Sequence, residues 1–295
     1  MEGARKAGPL AKLVLLLEMI KFQHSVFALP WALVAAFHAA GGVPSAGQLF
    51  WILVAMVSAR SAAMAFNRVA DADLDAENPR TRGRAIPSGR ITSRFASGFT
   101  LAMVALFVVS AWRLNDLCLR LSPAALAVIL GYSFTKRFTA LSHWVLGISL
   151  GLAPVGAWLA VAPQAAGRPF PYLLGAAVAF WIAGADILYA CEDLEFDRRK
   201  GLHSVPASLG LRGAMSVSRL SHLAAVGALL GAGWSAGRGP FWYGTAAAVG
   251  ALLGLEHALV RPDDLRRLNQ AFFSVNAAVG GVLLAGGLLD LFSGG

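Results

Sequence analysis

The chain is short of charge. Only 14% of its 295 residues are Asp, Glu, Lys or Arg, while 57% are hydrophobic. A soluble domain needs more polar surface than that to cover itself. Cysteine is scarce too. Cys118 and Cys191 are the only two, both in or beside apolar runs and without metal-type or redox-type spacing. That excludes a disulfide framework, a zinc module and a dithiol redox centre, and leaves two inert thiols. Short segments alternating between apolar and polar residues are missing, which argues against a membrane β-barrel. Acids are outnumbered by bases, 16 to 25. The resulting charge of +9 is spread over several loops rather than gathered on one face, so no nucleic-acid partner is expected.

What the chain does have is long apolar runs. Nine of them fall at roughly 22–42, 49–66, 95–113, 117–134, 141–163, 172–192, 216–234, 241–259 and 272–290. Each is long enough to cross ~30 Å of hydrocarbon. The expected fold is therefore all-α: a polytopic integral membrane protein of nine transmembrane helices, a single domain over 1–295. Residues 1–21 are basic and then apolar, but Glu18 and Lys21 interrupt the run. They read as an amphipathic segment on the bilayer surface rather than as a signal peptide. Nineteen Lys and Arg lie on the side of the N-terminus and four (Arg113, Arg120, Arg168, Arg238) on the other. That bias places the N-terminus in the cytoplasm.

Two acidic clusters stand out against this background, both on the cytoplasmic side. The first, NRVADADLDAENPRTRGR at 67–84, follows the second span. The second lies in AGADILYACEDLEFDRRKGLHSVP at 183–206, after the sixth. Asn67, Asp71 and Asp75 are four residues apart and share a helix face, with Arg60 two turns inward. Asp186, Asp193 and Asp197 form a second stripe with Tyr189 beside it, and their spacing repeats that of Arg60, Asn67 and Asp71. Asp73, Glu77, Glu192 and Glu195 point elsewhere. A basic group and then a Pro follow each cluster (Pro87, Pro206), which suggests two pseudo-symmetric four-helix halves with the ninth span added. Loops 67–94 and 193–215 would then carry a cytoplasmic-side active site.

Carboxylates repeated on one face repel one another unless a cation sits between them. Oxygen donors without His or thiolate company suit Mg²⁺, which binds few carboxylates and completes its shell with substrate phosphates. The two stripes together would grip a diphosphate through Mg²⁺, with Asn67, Asp71, Asp75, Asp193 and Asp197 as metal ligands. Arg68, Lys136, Arg137 and Arg198, with Arg199 and Lys200 beside them, would meet the remaining phosphate charge. A solitary acidic patch in a loop is ordinarily solvated surface; the matched pair is what favours a site. Lys136 and Arg137 serve equally well as topology signals. Arg60 and Asp186 fall inside spans, where charge is costly and usually lines a polar cavity. His24, Glu256 and His257 read as interfacial or helix-packing residues.

At these residues the chain resembles the intramembrane UbiA-type aromatic prenyltransferase family. The family motif N-x-x-x-D-x-x-x-D is met by Asn67, Asp71 and Asp75, and D-x-x-Y-x-x-x-D-x-x-x-D by Asp186, Tyr189, Asp193 and Asp197. Where some members carry Asp after the motif Asn, this chain has Arg68. The segments MIKFQHSVFALPWALVAA, ARSAAMAFNR and NPRTRGRAIPSG look like the quinone-biosynthesis branch. The resemblance implies Mg²⁺-dependent transfer of a polyprenyl group from a polyprenyl diphosphate to a hydroxyaromatic acid, 4-hydroxybenzoate in the ubiquinone pathway. The alternative acceptor is a dihydroxynaphthoate precursor of menaquinone. It also implies residence in a bacterial inner (plasma) membrane, with the bilayer as a partner. Asp71, Asp75, Asp193 and Asp197 would carry the chemistry, Arg60 would hold the acceptor's carboxylate, and Asp186 or Tyr189 its hydroxyl. A transporter with cytoplasmic cation sites is the rival from another class, but transporters place their sites near the bilayer midplane.

Overall fold

The computed structural model describes residues 15–20, 25–260, 265, 267–268 and 271–294. Most of the amphipathic segment expected at 1–21 lies outside these residues. Among those described, every regular element is helical. The helices are α1 (Ser25–Ala40), α2 (Ala46–Ala70), the short α3 (Ala72–Glu77), α4 (Ser93–Leu114), α5 (Asp116–Thr135) and α6 (Ser142–Val161). After these come α7 (Pro169–Ala190), the short α8 (Leu194–Lys200), α9 (Val205–Ser235), α10 (Pro240–Leu259) and α11 (Asn276–Phe292). Among the described residues, seven helical segments are long and apolar enough to cross a membrane: α2, α4, α5, α6, α7 with its continuation to Lys200, α9, and Phe272–Phe292. A shorter apolar helix covers Ala28–Ala40 within α1.

Side-chain caps decide where several helices start. Ser45 Oγ accepts the Gln48 N–H at 3.2 Å while the Gln48 side chain accepts the Ser45 N–H, a complete capping box for α2. Thr92 caps α4, Asn115 caps α5 and Ser204 caps α9, each accepting a first-turn N–H that has no partner within its helix. The expectation of a start near 216 for α9 is corrected by this last cap. The helix begins at Val205 with Pro206 in its first turn. Its best window has a mean hydropathy of only 1.2 because Arg219, His222 and several serines fall within it, and the first turns, with Ser208 and Arg212, are more polar still. At Gly210 the backbone turns through φ 69°, ψ 177°, a conformation open essentially to glycine alone, and this kink joins the polar first turns to the apolar remainder.

The helices close into a ring. α2 lies along α4 and α5, α6 packs on α5 and α7, and α7 runs along α9. α10 and α11 follow, and α11 packs against α1, which returns to α6. Small residues allow the closest approach. A Cβ on Gly147 would lie 2.1 Å from the Ala179 carbonyl oxygen, and one on Gly151 2.5 Å from that of Gly175. The α6–α7 pair is thus backbone against backbone, the mode that gives helices tight packing where lipid supplies no hydrophobic drive. A large core includes Trp31 stacked on Trp181 at 5.2 Å. On the outside, Leu101 and Trp112 of α4 and Leu220, Leu223 and Trp234 of α9 are exposed. An apolar outer surface of this kind suits contact with acyl chains.

Candidate active site

Both acidic clusters sit at helix breaks of the same form. Asp71 ends α2 and precedes α3 with φ −100°, ψ 11°; Asp193 precedes α8 with φ −100°, ψ 4°. These are bridge-region values, sparsely populated in general and recurrent at active-site residues. The straight stripe expected for Asn67, Asp71 and Asp75 is therefore bent at Asp71. The second bends through the 3₁₀ turn Cys191–Asp193. The 22 residues Pro169–Ala190 would by themselves rise about 33 Å, enough for the ~30 Å of a hydrocarbon core, so the turn and α8 are not needed for the span.

Within the first cluster the two buried carboxylates are matched to cations. Asp71 is buried and accepts from Asn67 Nδ2 at 3.0 Å, with Lys136 Nζ at 2.8 Å and an Arg137 amino group at 3.3 Å. Arg137 also bonds the Ala70 carbonyl. Asp75, buried as well, receives one Arg84 amino group on both oxygens at 2.7 and 2.8 Å, with the buried Arg68 3.9 Å away. Taking charges out of water is costly, and pairing of this kind offsets the cost. Asp73 is exposed. Glu77, read from sequence as a bystander, forms an ion pair with Lys200.

The second cluster is reached from the first by the segment after α3. Asn78 Nδ2 and Arg80 Nε both donate to Asp193 Oδ1 at 2.9 Å, and Arg80 also pairs with Asp193 Oδ2 through its amino group. The same guanidinium donates to the Tyr189 hydroxyl at 3.2 Å and lies 5.2 Å from that ring. Burial alone would raise the Asp193 carboxyl, but the hydrogen bonds and charge of Arg80, with Asn78, outweigh it and hold the group below the usual carboxylate range. Asp197 goes the other way. Burial pushes it up, the Ser204 hydroxyl bond at 2.8 Å offsets this in part, and the charge of Asp193 adds to the rise. Among the described residues, Asp197 has no cation within ion-pair distance.

Asp186 meets His143 of α6, whose Nδ1 lies 2.7 Å from its Oδ2. Arg60 does not reach the acids. It lines an apolar cavity of about 240 Å³ bounded by α1, α2, α4, α5 and α6, and its buried Nε has no hydrogen-bond partner. The lining ends at Met64 on α2 and Tyr132 on α5, one turn short of Asn67 and of Lys136. The cavity thus lies about one helical turn beneath the first acidic cluster. Arg198 donates through Nε to the Ala207 carbonyl at 3.0 Å, turned toward the start of α9. Asn78, Arg80, Arg84, His143 and Ser204 were not singled out from the sequence. Arg80 and Arg84 were visible there as basic neighbours of the acids, whereas His143 and Ser204 gave no signal.

Five donors, four carboxylates and one amide, present oxygen atoms alone, the chemistry a hard divalent ion such as Mg²⁺ takes. Among the described residues no three His, Cys, Asp or Glu side chains converge on one point. Mg²⁺ needs only one or two carboxylates when phosphates fill the rest of its shell, so the donor set fits such an ion brought in with a diphosphate.

A family model described as "UbiA prenyltransferase family" matches residues 28–278. The chain is 34% identical over 250 residues to a 4-hydroxybenzoate octaprenyltransferase of Cupriavidus necator, covering 82% of this chain and 84% of that protein. It is 33% identical over 280 residues to the protein of that name in Paraburkholderia xenovorans, covering 94% and 96%. Among solved structures, the apo UbiA homolog from Aeropyrum pernix K1 superposes with a TM-score of 0.83 at 34% identity, over 91% of this chain and 98% of that one. A UbiA homolog from Archaeoglobus fulgidus bound to GPP and Mg²⁺ matches with a TM-score of 0.65 at 18% identity, over 94% and 99%, a likeness of fold.

Proposed function

The chain belongs to the UbiA prenyltransferase family and is a prenyltransferase; from that premise we propose that it transfers a polyprenyl group from an isoprenoid diphosphate to 4-hydroxybenzoate. The observation that carries this reading is the joining of two acidic groups, by Arg80 to Asp193 and Lys200 to Glu77, above an apolar cavity that holds Arg60. An enzyme for a long isoprenoid diphosphate needs this pairing of an ionic head site and an oily channel. The named relatives support the choice of acceptor. A dihydroxynaphthoate precursor of menaquinone is the alternative acceptor.

In the reaction the allylic C–O bond of the donor breaks and diphosphate leaves with the electron pair. A ring carbon beside the phenol oxygen attacks the allyl cation, a C–C bond forms, and loss of the ring proton restores aromaticity. Asn67, Asp71, Asp75, Asp193 and Asp197 would hold Mg²⁺, which when bound offsets the charge growing on the leaving diphosphate. Arg68, Lys136 and Arg137 lie on or beside these carboxylates and turn to the phosphates as the donor enters. Arg198, bonded through Nε, keeps its amino groups for the same anion. Arg60, with its unpartnered Nε, binds the acceptor's carboxylate. Asp186 or Tyr189 orients the phenol hydroxyl. The apolar wall between Leu29 and Leu159 takes the prenyl chain and excludes water from the cation.

The same reading covers the remaining architecture. We propose nine spans in one domain, the seven apolar segments with α1 and α10 added, arranged as two four-helix halves plus one. The shared conformation of Asp71 and Asp193, each opening a short helix, supports the repeat. The excess of Lys and Arg supports a cytoplasmic N-terminus in a bacterial inner membrane. The test is release of diphosphate and formation of prenylated product by purified protein given a polyprenyl diphosphate, Mg²⁺, and either 4-hydroxybenzoate or a dihydroxynaphthoate. Product with the first acceptor and none with the second supports the assignment; the reverse moves it to the alternative, and no product with either refutes it.

A further inference from the structure

The buried imidazole of His143 is used at both nitrogens. The Val205 N–H, which can only donate, points to its Nε2 at 3.2 Å, and Nδ1 lies 2.7 Å from Asp186 Oδ2. A nitrogen that accepts an amide N–H carries no proton, so the ring is neutral and its one proton sits on Nδ1, donated to Asp186. The tautomer is fixed by geometry.

What this arrangement holds is specific. Val205 is the first residue of α9, and its N–H has no partner within the helix. The preceding Ser204 donates to Asp197 Oδ2 at 2.8 Å. His143 therefore joins α6, the Asp186 turn of α7, and the start of α9 from which Asp197 is held. Only one Asp186 oxygen is taken, and the side chain keeps 32% of its surface open. A buried imidazole needs a partner at each nitrogen, and here the two partners come from two different helices, one of them a carboxylate beside the ionic head site.

We propose that His143 is a positioning residue for prenyl transfer, fixing the Asp186 carboxylate so that its free oxygen receives the hydroxyl of the aromatic acceptor. This rests on the assignment of Asp186 to the acceptor hydroxyl made above. His143 itself touches no substrate and acts through Asp186. An imidazole is not the only group able to do this. A glutamine amide also offers one donor and one acceptor in a plane at similar separation, whereas phenylalanine keeps the ring and loses both bonds.

The experiment uses the full chain in lipid nanodiscs. His143→Phe is expected to lower kcat/KM for the hydroxy acid at least tenfold while KM for the prenyl diphosphate stays within twofold. His143→Gln is expected to recover to within about threefold of the parent. In the Asp186→Asn background, His143→Phe should add nothing, since coupled residues give non-additive effects. A phenylalanine variant of normal activity, an equal loss toward both substrates, or additive losses in the double variant would overturn the proposal. Tautomer state is read without turnover by ¹⁵N NMR of histidine-labelled protein, with His143→Gln assigning the resonance among the six histidines. A proton on Nδ1 is expected, and one on Nε2 would overturn the inference. Failure of the functional reading looks different, because the parent protein would then make no product while the NMR result stood.

Discussion

Arg80 grips Asp193. Its guanidinium spans 113 residues of sequence to meet both carboxylate oxygens, and it bonds the Tyr189 hydroxyl at the same time. The segment that follows the first acidic cluster is thus the clasp that closes onto the second. The contact between the clusters is made by Arg80 with help from Asn78, and a second link is the ion pair of Lys200 with Glu77.

Replacing Arg80 by Gln should therefore weaken use of the prenyl donor more than it weakens the fold. The pair is part-exposed, and such ion pairs contribute about 1 kcal/mol or less to stability. We expect kcat/KM for the prenyl diphosphate to fall ten- to a hundredfold, with the melting temperature in detergent nearly unchanged. Unchanged donor kinetics would mean that the clasp has no part in turnover.

Asp73 and Asp75 are two residues apart and should behave oppositely. Asp75 is buried against Arg84 and Arg68, while Asp73 is exposed. Asp75→Asn leaves two guanidinium groups without their counter-charge, a loss of about 3 kcal/mol for a buried pair broken on one side. Activity should fall by about a thousandfold or more. Asp73→Asn should leave both stability and kcat/KM within about twofold, as measured by thermal unfolding and product formation on the paired variants.

That contrast shows how far the sequence could be read. Spacing alone separated Asp71 and Asp75 from Asp73, because one helix face carries every fourth residue, and the burial pattern agrees. Hydropathy located the long helices to within a few residues, since the bilayer demands a run of about 20 apolar residues whatever the fold. It lost the start of α9, where a serine cap and a glycine kink set the boundary and the turns are polar. Glu77 was set aside because its partner, Lys200, lies across the site and nothing local marks it. His143 was missed for the same reason. A histidine at the start of an apolar helix looks like any interfacial residue until Asp186 and Val205 are placed beside it.

Gly210 offers a test of the fold that leaves the chemistry aside. Its φ of 69° with ψ of 177° is unfavourable for any residue with a Cβ, although the nearest atom to such a Cβ, in Arg198, is a tolerable 3.9 Å away. Strain rather than collision is then the cost, about 1–3 kcal/mol. Gly210→Ala should lower the melting temperature by several degrees, and Gly227→Ala, in the same helix with open space around it, should not. Equal melting curves for the two would show that the kink is not needed.

Metal removal should silence the enzyme and spare the structure. Asp71, Asp75 and Asp193 are neutralised by Lys136, Arg84 and Arg80, so their charges are compensated by the chain itself. Asp197 differs, being held by a serine hydroxyl and pushed toward its protonated form by burial. A carboxylate without its own cation costs little when it can keep a proton, and gains most when a divalent ion arrives. Chelation by EDTA should therefore abolish prenyl transfer, with recovery on adding Mg²⁺, while the melting temperature without substrate moves by no more than about 2 °C. Adding Mg²⁺ together with a non-hydrolysable prenyl diphosphate analogue should raise it, since a ligand bound only by the folded state stabilises that state. Unfolding on chelation alone would contradict the pairing of these acids with Lys136, Arg84 and Arg80.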